Sequence, residues 1–158
     1  MWTVWELLQL NLGKGFYAYT NFLWGPEVAT DASRSRSYTG GGFVCRDGVY
    51  DFWQYGSRAA RKLIDFLEGD TVVETVQRMA SRWRGYMVKF YIDNMVFEKS
   101  GEKGRSKVER LNVLLKELFM AQILYGFVIV WEWIDTHFNR LADHLSRGRE
   151  DDFLRDAY

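Results

Sequence analysis

Val28-Ala29-Thr30-Asp31-Ala32-Ser33 is the stretch on which the fold turns. A short apolar run with strand character stops on a carboxylate and passes into a polar, glycine-bearing segment. Open α/β sheets bind ligands in the crevice outside the carboxyl ends of their strands, so an acid ending a central strand points into that crevice. Three later acids, Glu68, Asp93 and Asp143, fall where strands end or helices begin. If they meet Asp31, one cluster gathers carboxylates from the whole chain.

Outward from this strand, Gly42 to Arg46 reads as a second strand, Asp47-Gly48 as a hairpin turn and Val49 to Tyr55 as the returning third strand. After the basic residues Arg58, Arg61 and Lys62, Leu63 to Leu67 adds more strand character. From Glu68 the period becomes helical, because Val72, Val76, Met79 and Trp83 recur at three and four residues and define one buried face. Glu68 lies one turn ahead of Val72 on that face. Asp70 and Glu74, two residues out of phase, rotate by roughly 200° toward solvent, which selects Glu68 over Glu74 as the functional acid.

Met87 to Ile92 is a nearly continuous apolar run, as in a central strand covered on both faces, and it ends on Asp93. Glu98 to Arg105 reads as a polar loop. Ser106-Lys107-Val108-Glu109 has the form of a capping box and opens an amphipathic helix through Leu111, Leu115 and Leu118 to about Leu124. Phe127 to Ile134 reads as the last strand, and Asn139 is placed to cap a final helix with Asp143 in its first turn. The predicted order is β-β-β-α-β-α-β-α: an α/β domain over residues 26–148 with a mixed five-stranded sheet and helices on its faces. Residues 149–158 read as a charged, fraying tail.

A chain of 158 residues with 47% apolar content is sized for one domain with a real core. Residues 1–25 are crowded with Trp2, Trp5, Phe16, Tyr17, Tyr19, Phe22 and Trp24, and Trp2, Trp5 and Leu8 approach helical spacing. This segment reads as the edge of a preceding region. Twenty-one basic and 21 acidic residues cancel, so net charge neither supports nor excludes a polyanionic partner. A lone Cys45 excludes an intrachain disulfide framework and a multi-cysteine zinc site. Without a signal-peptide pattern it points to a reducing, intracellular setting. No run is long and uncharged enough to span a membrane, and no membrane partner is expected.

Three or four oxygen donors without Cys or clustered His suit hard, octahedral Mg²⁺ or Mn²⁺. Two such ions about 4 Å apart activate a water and stabilise the leaving oxygen of a phosphodiester. Spacing alone leaves a plainer reading open, in which the acids are solvated or complement helix N-termini.

Several short motifs raise the first reading. They are Thr30-Asp31-Ala32-Ser33, Gly41-Gly42-Phe43, Leu67-Glu68, Ile92-Asp93-Asn94, Trp131-Glu132-Trp133-Ile134-Asp135-Thr136-His137 and Asn139-Arg140-Leu141-Ala142-Asp143-His144-Leu145-Ser146-Arg147. Together they resemble the ribonuclease H domain of retrotransposon-type reverse transcriptases, and more distantly cellular ribonuclease H, over about residues 27–148. The last stretch looks like the Asn-x-x-Ala-Asp-x-Leu-Ser-Arg motif of the retroelement versions. The resemblance implies a ribonuclease H-like fold and two Mg²⁺ ions, with Mn²⁺ as substitute, held by Asp31, Glu68, Asp93 and Asp143. It implies RNA/DNA hybrid as substrate, with hydrolysis of the RNA strand, and a reverse transcriptase polymerase region as partner, of which residues 1–25 look like a piece. His137 matches the family's mobile-loop histidine by its distance from Trp131-Glu132-Trp133. Only Phe138 separates it from Asn139, a shorter loop than in the cellular enzymes.

For holding a hybrid, the backbone of Ser33 and of Gly40, Gly41 and Gly42 offers close approach to RNA, because glycine has no side chain to obstruct it. Arg34 and Arg36, and Lys99, Lys103, Arg105 and Lys107, are candidate phosphate contacts. Asn94 either orients substrate or ends its strand. Two other readings stand beside the ribonuclease: an idle retroelement-derived domain that only binds nucleic acid or a protein partner, and another nuclease of the same fold.

Overall fold

The computed structural model describes residues 22–58 and 61–158. Leu23–Arg34 forms β1, Thr39–Cys45 forms β2 and Tyr50–Gln54 forms β3, an antiparallel meander. The Asp47-Gly48 turn closes where Gly48 takes φ 92, backbone that glycine adopts without a Cβ clash, and its N–H donates to the Cys45 carbonyl at 2.9 Å. Tyr86–Ile92 forms β4 and Val128–Trp133 forms β5. Strand β4 runs parallel to β1, and β5 parallel to β4, giving the order β3-β2-β1-β4-β5. This is the predicted mixed five-stranded sheet. Because Val28 pairs with Phe90 and Ala29 with Tyr91, Asp31 and Asp93 fall side by side at one end of neighbouring strands.

Helix α1, Ile64–Met79, lays Val72, Val76 and Met79 on the sheet, all buried as the periodicity predicts. Trp83 follows, 1% exposed, with edge-on contacts to Phe90 and Phe127 at 5.7 and 5.4 Å between centroids. Helix α2 spans Met95–Lys103, α3 Glu109–Tyr125, α4 Arg140–Ser146 and α5 Glu150–Ala157. Successive strand residues face opposite sides. A Cβ on Gly41 would strike Thr71 of α1 and one on Gly42 would strike Leu145 of α4, so these two helices cover opposite faces.

Five expectations are corrected. Leu63 to Leu67 is not strand: Leu63 is the extended residue before α1, and Leu67 is fully buried one turn ahead of Thr71, so the helical stripe begins earlier. Glu98 to Arg105 is not a loop but lies largely in α2, which Phe97 anchors edge-on against Trp131 at 5.7 Å and which ends at Gly104 with φ 66. One apolar anchor among polar residues concealed it. The capping box does not form; Ser106 Oγ instead accepts the Val108 N–H at 3.1 Å, two residues on, and Ser106 exchanges two hydrogen bonds with Asn112. The charged tail does not fray, because Phe153 is 1% exposed against Tyr50, 4.5 Å between ring centroids, and Tyr50 donates to Glu150 at 2.9 Å. Residues 23–25 belong to β1 rather than to a separate leading segment. The reading of Trp2, Trp5 and Leu8 as a helix lies outside the described residues.

Candidate metal centre and nucleic-acid interface

Three of the four acids converge. Asp31 in β1, Glu68 in the second turn of α1 and Asp93 just past β4 each place one carboxylate oxygen within 4.8 Å of the others. Asp31 is 7% exposed, and its Oδ2 accepts a short hydrogen bond from Ser146 Oγ of α4. Ser33 Oγ donates to the Ser146 carbonyl at 2.6 Å, tying β1 to the end of that helix. The Asp93 carboxylate accepts from Thr136 Oγ1 at 3.3 Å, and its carbonyl accepts from Trp133 Nε1 at 3.1 Å.

Burial pushes the Asp31 carboxyl up to about 8; the Ser146 hydrogen bond opposes this, while the charges of Asp93, Asp143 and Glu68 add to it. Burial likewise pushes Glu68 up to about 7, against a polar contact from Asn94, and raises Asp93. Glu68 Oε2 is buried without a hydrogen-bond partner among the described residues. Three crowded carboxylates, one with an orphaned oxygen, fit a hard divalent cation, whose charge relieves both their burial cost and their repulsion.

Asp143 stands apart. It sits in α4 close enough for its charge to be felt at Asp31 and Asp93, yet Arg147 Nε holds its Oδ1 at 2.7 Å and Arg149 Nη2 its Oδ2 at 3.2 Å. Asn139 does not cap α4 with its side chain; its Nδ2 donates to the Thr30 carbonyl at 2.9 Å, bracing β1 beside Asp31. His137 is exposed on the one-turn helix Thr136–Phe138, where its backbone N–H donates to Asp135.

The interface candidates divide. Ser33, Gly41 and Gly42 are buried, and a Cβ on Gly42 would lie 2.7 Å from Leu145, so glycine here answers to helix packing rather than to open approach by RNA. Asn94 caps α2 by accepting the Phe97 N–H at 2.9 Å and donates to Asp65 at 3.1 Å. Arg34 donates to the Lys62 carbonyl at 2.5 Å, and Arg36 is exposed. Lys99, Lys103, Arg105 and Lys107 line one concavity of about 720 Å³ where α2 meets α3.

With this geometry, solved structures align over nearly their whole length. An RNase H1 from the halophilic archaeon Halobacterium salinarum superposes with a TM-score of 0.64 at 15% identity, covering 80% of this chain and 98% of that one. The fold is ribonuclease H-like. The N-terminal RNase H domain of a Mycobacterium tuberculosis protein gives 0.61 at 17% identity, covering 85% and 100%. A compost-derived RNase H1 in complex with RNA/DNA hybrid gives 0.60 at 17%, covering 82% and 99%. No protein-family model and no curated protein matches the sequence. Ser146 and Thr136, which hydrogen-bond two acids of the cluster, are residues that the sequence reading did not single out. Both sat inside the quoted motifs, three residues from Asp143 and one from His137, but only the fold shows which carboxylate each reaches.

Proposed function

We propose that the chain is a divalent-metal-dependent endonuclease that hydrolyses the RNA strand of RNA/DNA hybrids, as the ribonuclease H part of a retroelement-type reverse transcriptase. The observation that carries this is the convergence of Asp31, Glu68 and Asp93 within 4.8 Å on a ribonuclease H-like fold. Mg²⁺, with Mn²⁺ as substitute, supplies when bound the charge that activates water and stabilises the leaving oxygen. Asp31, Glu68 and Asp93 hold the first ion, Ser146 and Thr136 keep two of those carboxylates aimed, and Asp143 serves a second ion. Arg34, Arg36, Lys103 and Arg105 hold phosphates, which fits a fold whose compost relative was solved with a hybrid. Asn94 and His137 directly follow Asp93 and Thr136 in the chain and are assigned to substrate and turnover, respectively, on the resemblance alone. The retroelement context rests on the Asn139-to-Arg147 motif.

Labelled hybrid incubated with the purified chain and Mg²⁺ tests the reading, and cleavage no greater than that of Asp93→Asn would sink it. Retained cleavage in Glu68→Gln with loss in Glu74→Gln would overturn the choice of helix acid. A second reading, an idle domain that binds hybrid without turnover, draws on the engagement of both Asp143 oxygens by arginines. Metal-independent hybrid binding with no cleavage would identify it.

A further inference from the structure

We infer that Arg147 and Arg149 form a latch that holds Asp143 out of the metal centre and releases it when a second divalent cation enters. This rests on the metal-centre reading of Asp31, Glu68 and Asp93. Those three acids face one another, whereas each oxygen of Asp143 is taken by a different guanidinium, at 2.7 and 3.2 Å.

The local chain is built to bring both arginines there. Arg147 lies four residues after Asp143, the spacing that makes neighbours on a helix surface. Arg149 lies past the end of α4, and Gly148 at φ 67 turns the chain back so that the Arg149 N–H donates to the His144 carbonyl at 2.9 Å. Helix α5 then keeps Arg149 in place. Phe153 is buried against Tyr50, and Asp156 receives His144 at 2.8 Å and Arg140 at 2.6 Å, fastening α5 to the helix that carries Asp143. Both latch side chains are about half exposed, 53% and 45%. Exposed ion pairs are individually weak, so a divalent cation with other ligands at hand can displace them. Ser146 Oγ meanwhile bonds Asp31, so the same turn of α4 touches the first cation's site and holds the second cation's ligand.

Mn²⁺ titration of the full chain by calorimetry and electron paramagnetic resonance tests this on a double-mutant cycle. The variants are Arg147→Gln with Arg149→Gln, Asp143→Asn, and all three together, with thermal melts confirming that each folds. Wild type is expected to bind one Mn²⁺ more tightly than a second. Removing both arginines is expected to tighten the second site about tenfold, within the usual range of coupling between sites. In the Asp143→Asn background the same substitutions are expected to change nothing, and Arg78→Gln, which removes the same charge but pairs with Asp51 and Glu74 instead, is expected to leave both sites as they are.

Equal tightening with and without Asp143 would show a diffuse charge effect and overturn the latch, as would no change at all. If wild type binds no Mn²⁺, the metal-centre reading itself fails and the latch with it. If two ions bind and the cycle is additive, only the latch fails.

Discussion

Asp31→Asn is expected to stabilise the metal-free protein at neutral pH while disabling the proposed metal centre. Burial moves the Asp31 carboxyl from 3.8 up to about 8, so the folded protein keeps a proton that the unfolded chain has already released. Below about pH 4 both states are protonated and the group contributes nothing. As pH rises toward 8, stability falls by about 1.4 kcal/mol per pH unit, and above 8 the penalty is constant. At pH 7 the full penalty is on the order of 4 kcal/mol. Asparagine keeps an acceptor for Ser146 Oγ and never ionises, and with part of that penalty discounted for relaxation around the charged carboxylate the expected gain is about 2–3 kcal/mol. For a chain of this size that is a rise of about 5–10 °C in Tm. Calorimetric melts in chelator from pH 4 to 8 measure it. The gap between variant and wild type should be near zero at pH 4 and widen upward, and saturating Mg²⁺ should shrink or invert it, because only wild type gains stability from the ligand. A variant no more stable than wild type at pH 7, or a gap that ignores pH, would refute the reasoning.

Cation affinity should climb steeply between pH 6 and 8, because Glu68 and Asp31, raised to about 7 and 8, must lose their protons to bind. Calorimetry in buffers of different ionisation heat should then count protons released, and a flat pH profile would contradict it. Gly42→Ala would put a Cβ 2.7 Å from the Leu145 Cβ and 3.1 Å from backbone atoms of Leu145 and Ser146. It should cost about 1–3 kcal/mol in urea melts and weaken Mn²⁺ binding as Ser146 is pushed off Asp31. Phe153→Ala, which empties a 1% exposed site, should cost about 3 kcal/mol, and hydrogen exchange should show α5 opening before the sheet; unchanged protection over Glu150–Ala157 would rule that out.

The parts of the fold that were legible in the sequence are those where burial writes a period. Val72, Val76, Met79 and Trp83 announce the face of α1, and the apolar run Met87 to Ile92 announces a strand, but not one covered on both sides: Val88, Phe90 and Ile92 are buried, while Met87, Lys89 and Tyr91 on the opposite face stay partly exposed. Helices α2 and α5 were hidden because each is seated largely by one aromatic, Phe97 or Phe153, among charged neighbours, which leaves no stripe to read. The glycines at 41 and 42 were visible as glycines, but their reason was not, since it depends on which helices press on β2.

At the site, the sequence by itself determined which acids are available and in what order, and through their phase that Glu68 rather than Glu74 turns inward. Glu74, its side chain 36% exposed, pairs with Arg78 at the surface, whereas Asp70, expected to face solvent, is only 19% exposed and pairs with Lys62. The order of elements allows strands one and four to end side by side, but that Asp31 and Asp93 are neighbours was settled by the tertiary structure, because it follows from β1 pairing with β4 across an intervening hairpin and helix. The capture of Asp143 was decided there too. Strand pairing and the turn at Gly148 are set by non-local packing, and a carboxylate's partners are whatever that packing brings within hydrogen-bond reach, which no local periodicity encodes.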